Sequence, residues 1–213
     1  MKLVLHSAWR SSAAYRVRIG LNLKGLAYDI APVNLVSSQH LEPAYAALNP
    51  QRLLPALEVD GKVLTQSLAI LEWLDETVPG HPLLPDDPCD RAVVRAMAQI
   101  IASDIHPVNN LRILRALTDL GVAEPDREAW IRRWITDGFT ALERMIVEHG
   151  QGYAFGSEPT LADCVLLPQV YNAERFKTDL TPFPNIVAIA ARCAEHPAFA
   201  AAHPNTQPDA IHA

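Results

Sequence analysis

Cysteine is scarce in this chain. Of 213 residues only Cys89, Cys164 and Cys193 are cysteines, and none stands in a Cys-x-x-Cys pair. That spacing excludes a disulfide framework and a dithiol redox motif, and it leads us to expect a reducing, cytoplasmic setting. No apolar run approaches membrane-spanning length, so no membrane association is expected. The opening Met1–His6 is too short and too soon interrupted for a secretory signal. A basic stripe is also missing. With a formal net charge of −6, the chain offers phosphates no surface, and no nucleic-acid partner is expected. Any anionic ligand must therefore be held by local cations. There is no glycine-rich phosphate loop. His6, His40, His81, His106, His149, His196, His203 and His212 are scattered without ligand spacing, so no metal is expected. Internal repeats and low-complexity tracts are absent. What remains is 49% apolar residues, ample for a globular core.

Along the chain, residues 1–78 alternate between strand and helix patterns. We expect a strand at 2–6, a helix at 12–24 ended by Gly25, a strand at 28–33 and a short helix near 41–48. Two further strands meet at Asp60-Gly61, a pair that favours a tight hairpin turn, and a helix follows over 67–77. Residues 79–88 hold four prolines and a glycine and read as a linker. From 89 to 213 strand signals vanish, and helical patterns cover roughly 88–120, 125–149, 160–173 and 184–203 before a polar tail. The expected fold class is an α/β thioredoxin-like domain of order β-α-β-α-β-β-α followed by an all-helical domain.

The most informative motif is Gln66-Ser67, at the junction of a strand and the 67–77 helix. A helix start carries backbone N–H groups with no intrahelical acceptor, and Ser67 adds a hydroxyl, so the pair suits an anion. Pro55, at the start of a strand, is a candidate cis proline that would leave adjacent backbone open to a bound peptide. A carboxylate at one end and a peptide backbone at the other suit glutathione. Ser11 and Ser12 open the first helix and can either cap it or hydrogen-bond a thiolate. The helix end is worth ~0.3–1 kcal/mol to an anion, too little alone to ionise a thiol of pKa ~8.5. A hydrogen bond to the charged form adds about 1.5–3 kcal/mol, and the two together suffice.

Three stretches, Trp9-Arg-Ser-Ser-Ala-Ala-Tyr-Arg-Val-Arg-Ile19, Leu48-Asn-Pro-Gln-Arg-Leu-Leu-Pro-Ala-Leu57 and Thr65-Gln-Ser-Leu-Ala-Ile-Leu-Glu-Trp73, resemble the zeta class of glutathione S-transferases. So do Asp104-Ile-His-Pro-Val-Asn-Asn110 and the helix from Thr160-Leu-Ala-Asp163 to Asn172-Ala-Glu-Arg-Phe176. The class includes maleylacetoacetate and maleylpyruvate isomerases. The resemblance implies glutathione as cofactor, a homodimer, and cis–trans isomerisation of a small dicarboxylate by reversible thiolate addition. It implies glutathione contacts from Ser12, His40, Gln51, Leu54, Pro55, Gln66 and Ser67, with Leu54 acting through its backbone. His106 and Asn110 would lie near the sulfur, and Asp104 would reach toward the glutathione of the other subunit. Many members carry Ser-Ser-Cys where this chain has Ala13, which weighs against reductive dehalogenation, a reaction that requires a protein thiol beside the glutathione sulfur. A conjugating or dehalogenating transferase and, behind it, a non-catalytic glutathione-fold binding module stand as alternatives.

In the helical half, Pro107 is expected to kink a continuous helix, with His106 and Asn110 sharing a face at i, i+4 spacing. Thr160-Leu-Ala-Asp163 reads as a capping box, which makes Asp163 structural. The expected substrate carries several negative charges. Arg175, Arg10 and Arg112 are the candidate ligands for its carboxylates, with Ser12, Ser11 and His106 assisting the chemistry. Arg175 suits the role through its planar fork at a helix end.

Overall fold

The computed structural model describes residues 1–211; His212, one of the scattered histidines, lies outside them. The described residues form two compact units, Met1–Leu83 together with those from Glu195 onward, and Leu84–Ala194. No helix among the described residues is long and apolar enough to cross a membrane.

The first unit is built on β1 (Leu3–Ser7), α1 (Ser12–Leu23), β2 (Asp29–Pro32), α2 (Pro43–Leu48), β3 (Ala56–Val59), β4 (Lys62–Thr65) and α3 (Ser67–Thr77). Its sheet has the order β2-β1-β3-β4. β1 pairs with β2 in parallel, Leu5 opposite Ile30, and with β3 antiparallel, Leu5 opposite Leu57. This is the expected β-α-β-α-β-β-α order, because a parallel pair needs a crossover helix whereas β3 and β4 need only a turn. At that turn Asp60 and Gly61 both take positive φ, 48° and 84°, as a type I′ hairpin requires.

Helix α1 is buried from Ser12 to Leu21 without interruption, because elements cover it on more than one side. α3 packs on one of them, so closely that a Cβ at Gly20 would stand 2.2 Å from Leu71 Cδ2. The short helix α9 (Pro197–Ala202) also packs against α1. Asn22 Nδ2 donates to the Ala198 carbonyl at 2.8 Å, and the Trp9 backbone N–H donates to Asp209 at 2.9 Å. The segment from Glu195 thus packs with the first unit, although in sequence it continues the helical half expected over 89–213. At the other end of α1, Lys24 Nζ donates to Asp75 Oδ1 at 3.1 Å. Asp75 also accepts from the Leu83 N–H at 2.7 Å.

The second unit contains α4 (Pro88–Gln99), a π-helical segment (Ile100–Ile105), α5 (Leu111–Asp119), α6 (Glu124–His149), α7 (Leu161–Arg175) and α8 (Pro184–Glu195). Asp87 caps α4 by accepting from Cys89 and Asp90 N–H groups at 2.8 and 3.0 Å. At α7 the capping box is complete. Asp163, fully buried, accepts from the Thr160 N–H at 2.8 Å and from the Ala154 N–H at 2.7 Å, so it fixes the helix start and the preceding loop together.

The expected kink at Pro107 is in fact a break. Pro107 has no N–H, and the chain before it widens to i→i−5 bonding, with His106 N–H donating to the Ile101 carbonyl at 2.8 Å. Gly138 on α6 admits this wider turn, since a Cβ there would sit 2.4 Å from Ile105 Cδ1. Helicity then stops until Leu111.

Candidate functional site

Two helices of the first unit, α1 and α3, open on a serine. Ser11 is the N-cap of α1 and its Oγ accepts from the Ala14 N–H at 3.3 Å. Ser12 is the first helical residue and is buried. The two hydroxyls therefore differ: Ser11 is engaged as a cap, and Ser12 stands beside it at a helix end with partial positive charge. Ala13 follows, buried inside α1. Arg10, just before the helix, is exposed, with its Cζ 4.6 Å from the Trp9 ring centre.

The second start is α3. Gln66 is its N-cap with φ 68° and ψ 115°, and no side chain caps the helix. A non-glycine residue at positive φ is uncommon and costs on the order of 1–3 kcal/mol, so the surrounding structure must hold it there. One holder is visible: Gln66 Nε2 donates to Gln51 Oε1 at 2.6 Å, which brings these two predicted ligands together. Ser67 is buried, and its Oγ accepts from Arg16 Nη1 at 3.2 Å.

The peptide bond between Leu54 and Pro55 is cis. The preceding Leu53 carbonyl is pinned by Tyr45 Oη at 2.7 Å and Asn49 Nδ2 at 2.8 Å. Burial pushes the Tyr45 phenol up to about 12, against the pull of its contact with Asn49, so it stays a donor. His40 is nearly buried, in a 3-10 turn over Gln39–Leu41.

In the second unit, the break at 106–110 overturns the expectation that His106 and Asn110 share a helical face. Asn110 instead caps α5, accepting from the Arg112 N–H at 3.2 Å, and Arg112 lies in the first turn of that new helix. Asp104 is exposed in the π-helical segment. Arg175 is the last residue of α7, exposed, with its Cζ 5.4 Å from the Phe176 ring centre.

Sequence reasoning passed over two residues that the structure brings forward. Arg16 and Arg18 lie on α1 and are almost completely buried. The available signal was two arginines inside a helix that is otherwise mostly small and apolar. Arg18 holds the loop before Ser11 from behind. Its guanidinium donates to the Trp9 carbonyl at 3.1 Å, to Ser7 Oγ at 3.0 Å and to the Ala202 carbonyl at 2.9 Å.

Comparison with known proteins agrees with this architecture. Residues 10–77 match the family described as "Glutathione S-transferase, N-terminal domain", and residues 118–202 match its C-terminal domain. The chain belongs to the glutathione S-transferase family, and within it to the zeta class that includes maleylpyruvate and maleylacetoacetate isomerases. It is 50% identical over 208 residues to a maleylpyruvate isomerase from a Ralstonia species, covering 96% of this chain and 98% of that one. It is 49% identical over 204 residues to a maleylacetoacetate isomerase from Rhizobium meliloti, covering 95% and 96%. Among solved structures, the holo form of a bacterial zeta-class maleylpyruvate isomerase superposes with a TM-score of 0.95 at 47% identity, over 98% of this chain and 100% of that one. A maleylacetoacetate isomerase from Anaeromyxobacter dehalogenans with bound glutathione superposes at 0.90 and 44% identity, over 99% and 98%.

Proposed function

We propose that this protein is a glutathione-dependent cis–trans isomerase of a dicarboxylate of the maleylpyruvate or maleylacetoacetate type. The observation that carries the reading is the pair of helix starts in the first unit, at Ser12 and at Ser67, each with a buried serine and the second backed by a buried arginine. The residues fit glutathione: Arg16 has guanidinium nitrogens that no described group satisfies, beside a hydroxyl at a helix start, which is a donor set for a carboxylate. Relatives that match this chain over nearly their whole length, named for isomerases of these substrates, supply the substrate class.

Glutathione, when bound, supplies the sulfur nucleophile whose reversible addition converts the cis double bond to a rotatable single bond. Ser12 holds that sulfur as thiolate by donating its hydroxyl, with the start of α1 adding its partial charge. Ser11, occupied with the cap, positions the turn, and His106 assists. Gln51, the Leu54 backbone beside Pro55, Gln66 and Ser67 hold the peptide, and His40 and Asn110 complete the contacts. Arg175 takes a substrate carboxylate as a planar fork, with Arg10 and then Arg112 as further cations. The working form is a cytoplasmic homodimer in which Asp104 serves the glutathione of the other copy.

The experiment is to supply enzymatically generated maleylpyruvate and maleylacetoacetate, each with and without glutathione, and follow loss of the cis-enol absorbance. Turnover that requires glutathione is the expected result, and the kcat/KM ratio names the preferred substrate. No turnover of either, with glutathione binding intact, would remove the isomerase reading.

A further inference from the structure

We propose that Arg16 is the buried counter-charge for the γ-glutamyl α-carboxylate of glutathione, acting through Ser67 at the start of α3. The inference rests on the glutathione reading of the same site and adds to it a residue behind the contact surface.

Arg16 is 2% exposed. One of its nitrogens, Nη1, donates to Ser67 Oγ at 3.2 Å. The other two, Nε and Nη2, are buried with no hydrogen-bond partner among the described residues. Burial alone pulls its pKa down, to about 10, with no carboxylate contributing to the shift. The group is thus a cation at neutral pH without a described anion. An isolated buried charge costs several kcal/mol, and an arginine, unlike a lysine, cannot escape by losing its proton.

Its neighbours point to what completes the pair. Ser67 Oγ accepts the arginine's hydrogen, which orients the hydroxyl's own proton away from Arg16. Ser67 is also the first residue of an 11-residue helix whose N-cap, Gln66, provides no side-chain cap. Its N–H is among those that a helix start leaves without an acceptor. A hydroxyl, helix N–H groups and a guanidinium one bond behind them form a site for a small anion. Of the two carboxylates in glutathione, we place the glycyl one at His40, whose contact with glutathione the resemblance implies, and the sulfur at Ser12. The γ-glutamyl carboxylate is the one left for Ser67.

Arg18 shows that the fold can satisfy a buried guanidinium when it has to. Two residues along the same helix, and so on the opposite face, Arg18 has Ser7 Oγ and the Ala202 and Trp9 carbonyls as acceptors. Among the described residues Arg16 has one acceptor, the Ser67 hydroxyl at the start of α3.

The test is calorimetric binding to the full chain of three peptides, wild type against Arg16→Met. The peptides are glutathione, its analogue with hydrogen in place of the γ-glutamyl α-carboxylate (4-aminobutyryl-cysteinyl-glycine), and γ-glutamyl-cysteinyl-glycinamide. Arg16→Met is expected to weaken glutathione and the glycinamide by roughly 10- to 100-fold, the span of one interaction with a charged group, and to leave the decarboxylated peptide's affinity where it was. Equal loss on all three peptides, or none on glutathione, would overturn the role. A wild-type measurement stands beside it in case the variant does not fold. With 15N-arginine label, the Arg16 Nε–H resonance should move on adding glutathione and not on adding the decarboxylated peptide. Identical spectra with the two would also overturn it. If wild-type protein binds neither glutathione nor its analogues, the glutathione reading itself falls, which is distinct from binding all three alike.

Discussion

Arg16 and Arg18 occupy one helix, both nearly inaccessible to solvent, and they have opposite surroundings. Around Arg18 the structure is closed: its donors meet carbonyls of the Ser7–Arg10 loop and of the C-terminal segment, so the residue ties the loop before Ser12 to α9. Around Arg16 it is incomplete: among the described residues it has a single bond to Ser67, and two of its nitrogens have no partner. A buried charge with all its partners in the chain serves folding, whereas one with partners missing serves whatever completes it. Removing a satisfied group strands its acceptors, and removing an unsatisfied one relieves a desolvation cost. The same contrast separates Ser11 from Ser12.

Substituting the two arginines in turn gives the largest contrast. Arg18→Met leaves several buried oxygens unpaired and should lower the urea-unfolding free energy by ~3 kcal/mol or more. Arg16→Met should cost the ligand-free protein nothing or stabilise it. Equal losses in the two denaturation curves would erase the distinction.

Asp163 extends the comparison to the second unit, as a buried charge held by backbone and hydroxyl donors. Burial pushes its carboxyl up to about 6 in spite of those bonds, against an ordinary value near ~3.9. The folded state therefore binds this proton more tightly than the unfolded chain does. Its stabilising contribution is full below about pH 4 and is lost as pH rises through about 6, some ~3 kcal/mol in all. Between those pH values wild-type stability should carry a downward component that Asp163→Asn lacks, whatever that variant's overall stability. Parallel curves from pH 4 to 7 would show that the hydrogen bonds outweigh burial.

At the start of α1 the contrast becomes one of thiol chemistry. Ser12→Ala should raise the pKa of bound glutathione by ~1–2 units, the equivalent of one hydrogen bond to a charged group. Ser11→Ala should instead cost ~1 kcal/mol of stability through the lost cap. Thiolate absorbance in a pH titration separates the two, and a shift confined to Ser11→Ala would exchange their roles.

What could be read from the sequence divides along the same line as these residues. The Asp60-Gly61 turn, the Thr160–Asp163 capping box and the helix start at Ser67 rest on a few adjacent residues whose backbone demands are local, and each is found in place. The break at 106–110 looks in sequence like a mere kink, because a helical pattern continues through it. Widening to i→i−5 bonds depends on the space that Gly138 leaves on α6, some thirty residues further on. The return of the tail to the first unit depends on partners such as Trp9 and Asp209, distant in sequence. Arg16 was passed over for a related reason: whether an arginine in a helix is solvated or buried is decided by what packs on that helix, and α3 and α9 come from elsewhere in the chain.

The smallest expected effect lies at Gln66, where local strain and ligand contact meet. Its φ of 68° is unfavourable for a side chain and free for glycine. Gln66→Gly should therefore gain about 1 kcal/mol of ligand-free stability relative to Gln66→Ala, which keeps the strain and loses only the amide. Both lose the bond to Gln51, and both should weaken glutathione by ~1–3 kcal/mol if the amide is a ligand contact. The pair thus separates conformation from contact: a stability difference with equal affinities places the strain in the backbone and the binding in the side chain. Should the glycine variant bind markedly worse than the alanine one, the strained backbone itself would be what presents Ser67 and Arg16 to the carboxylate.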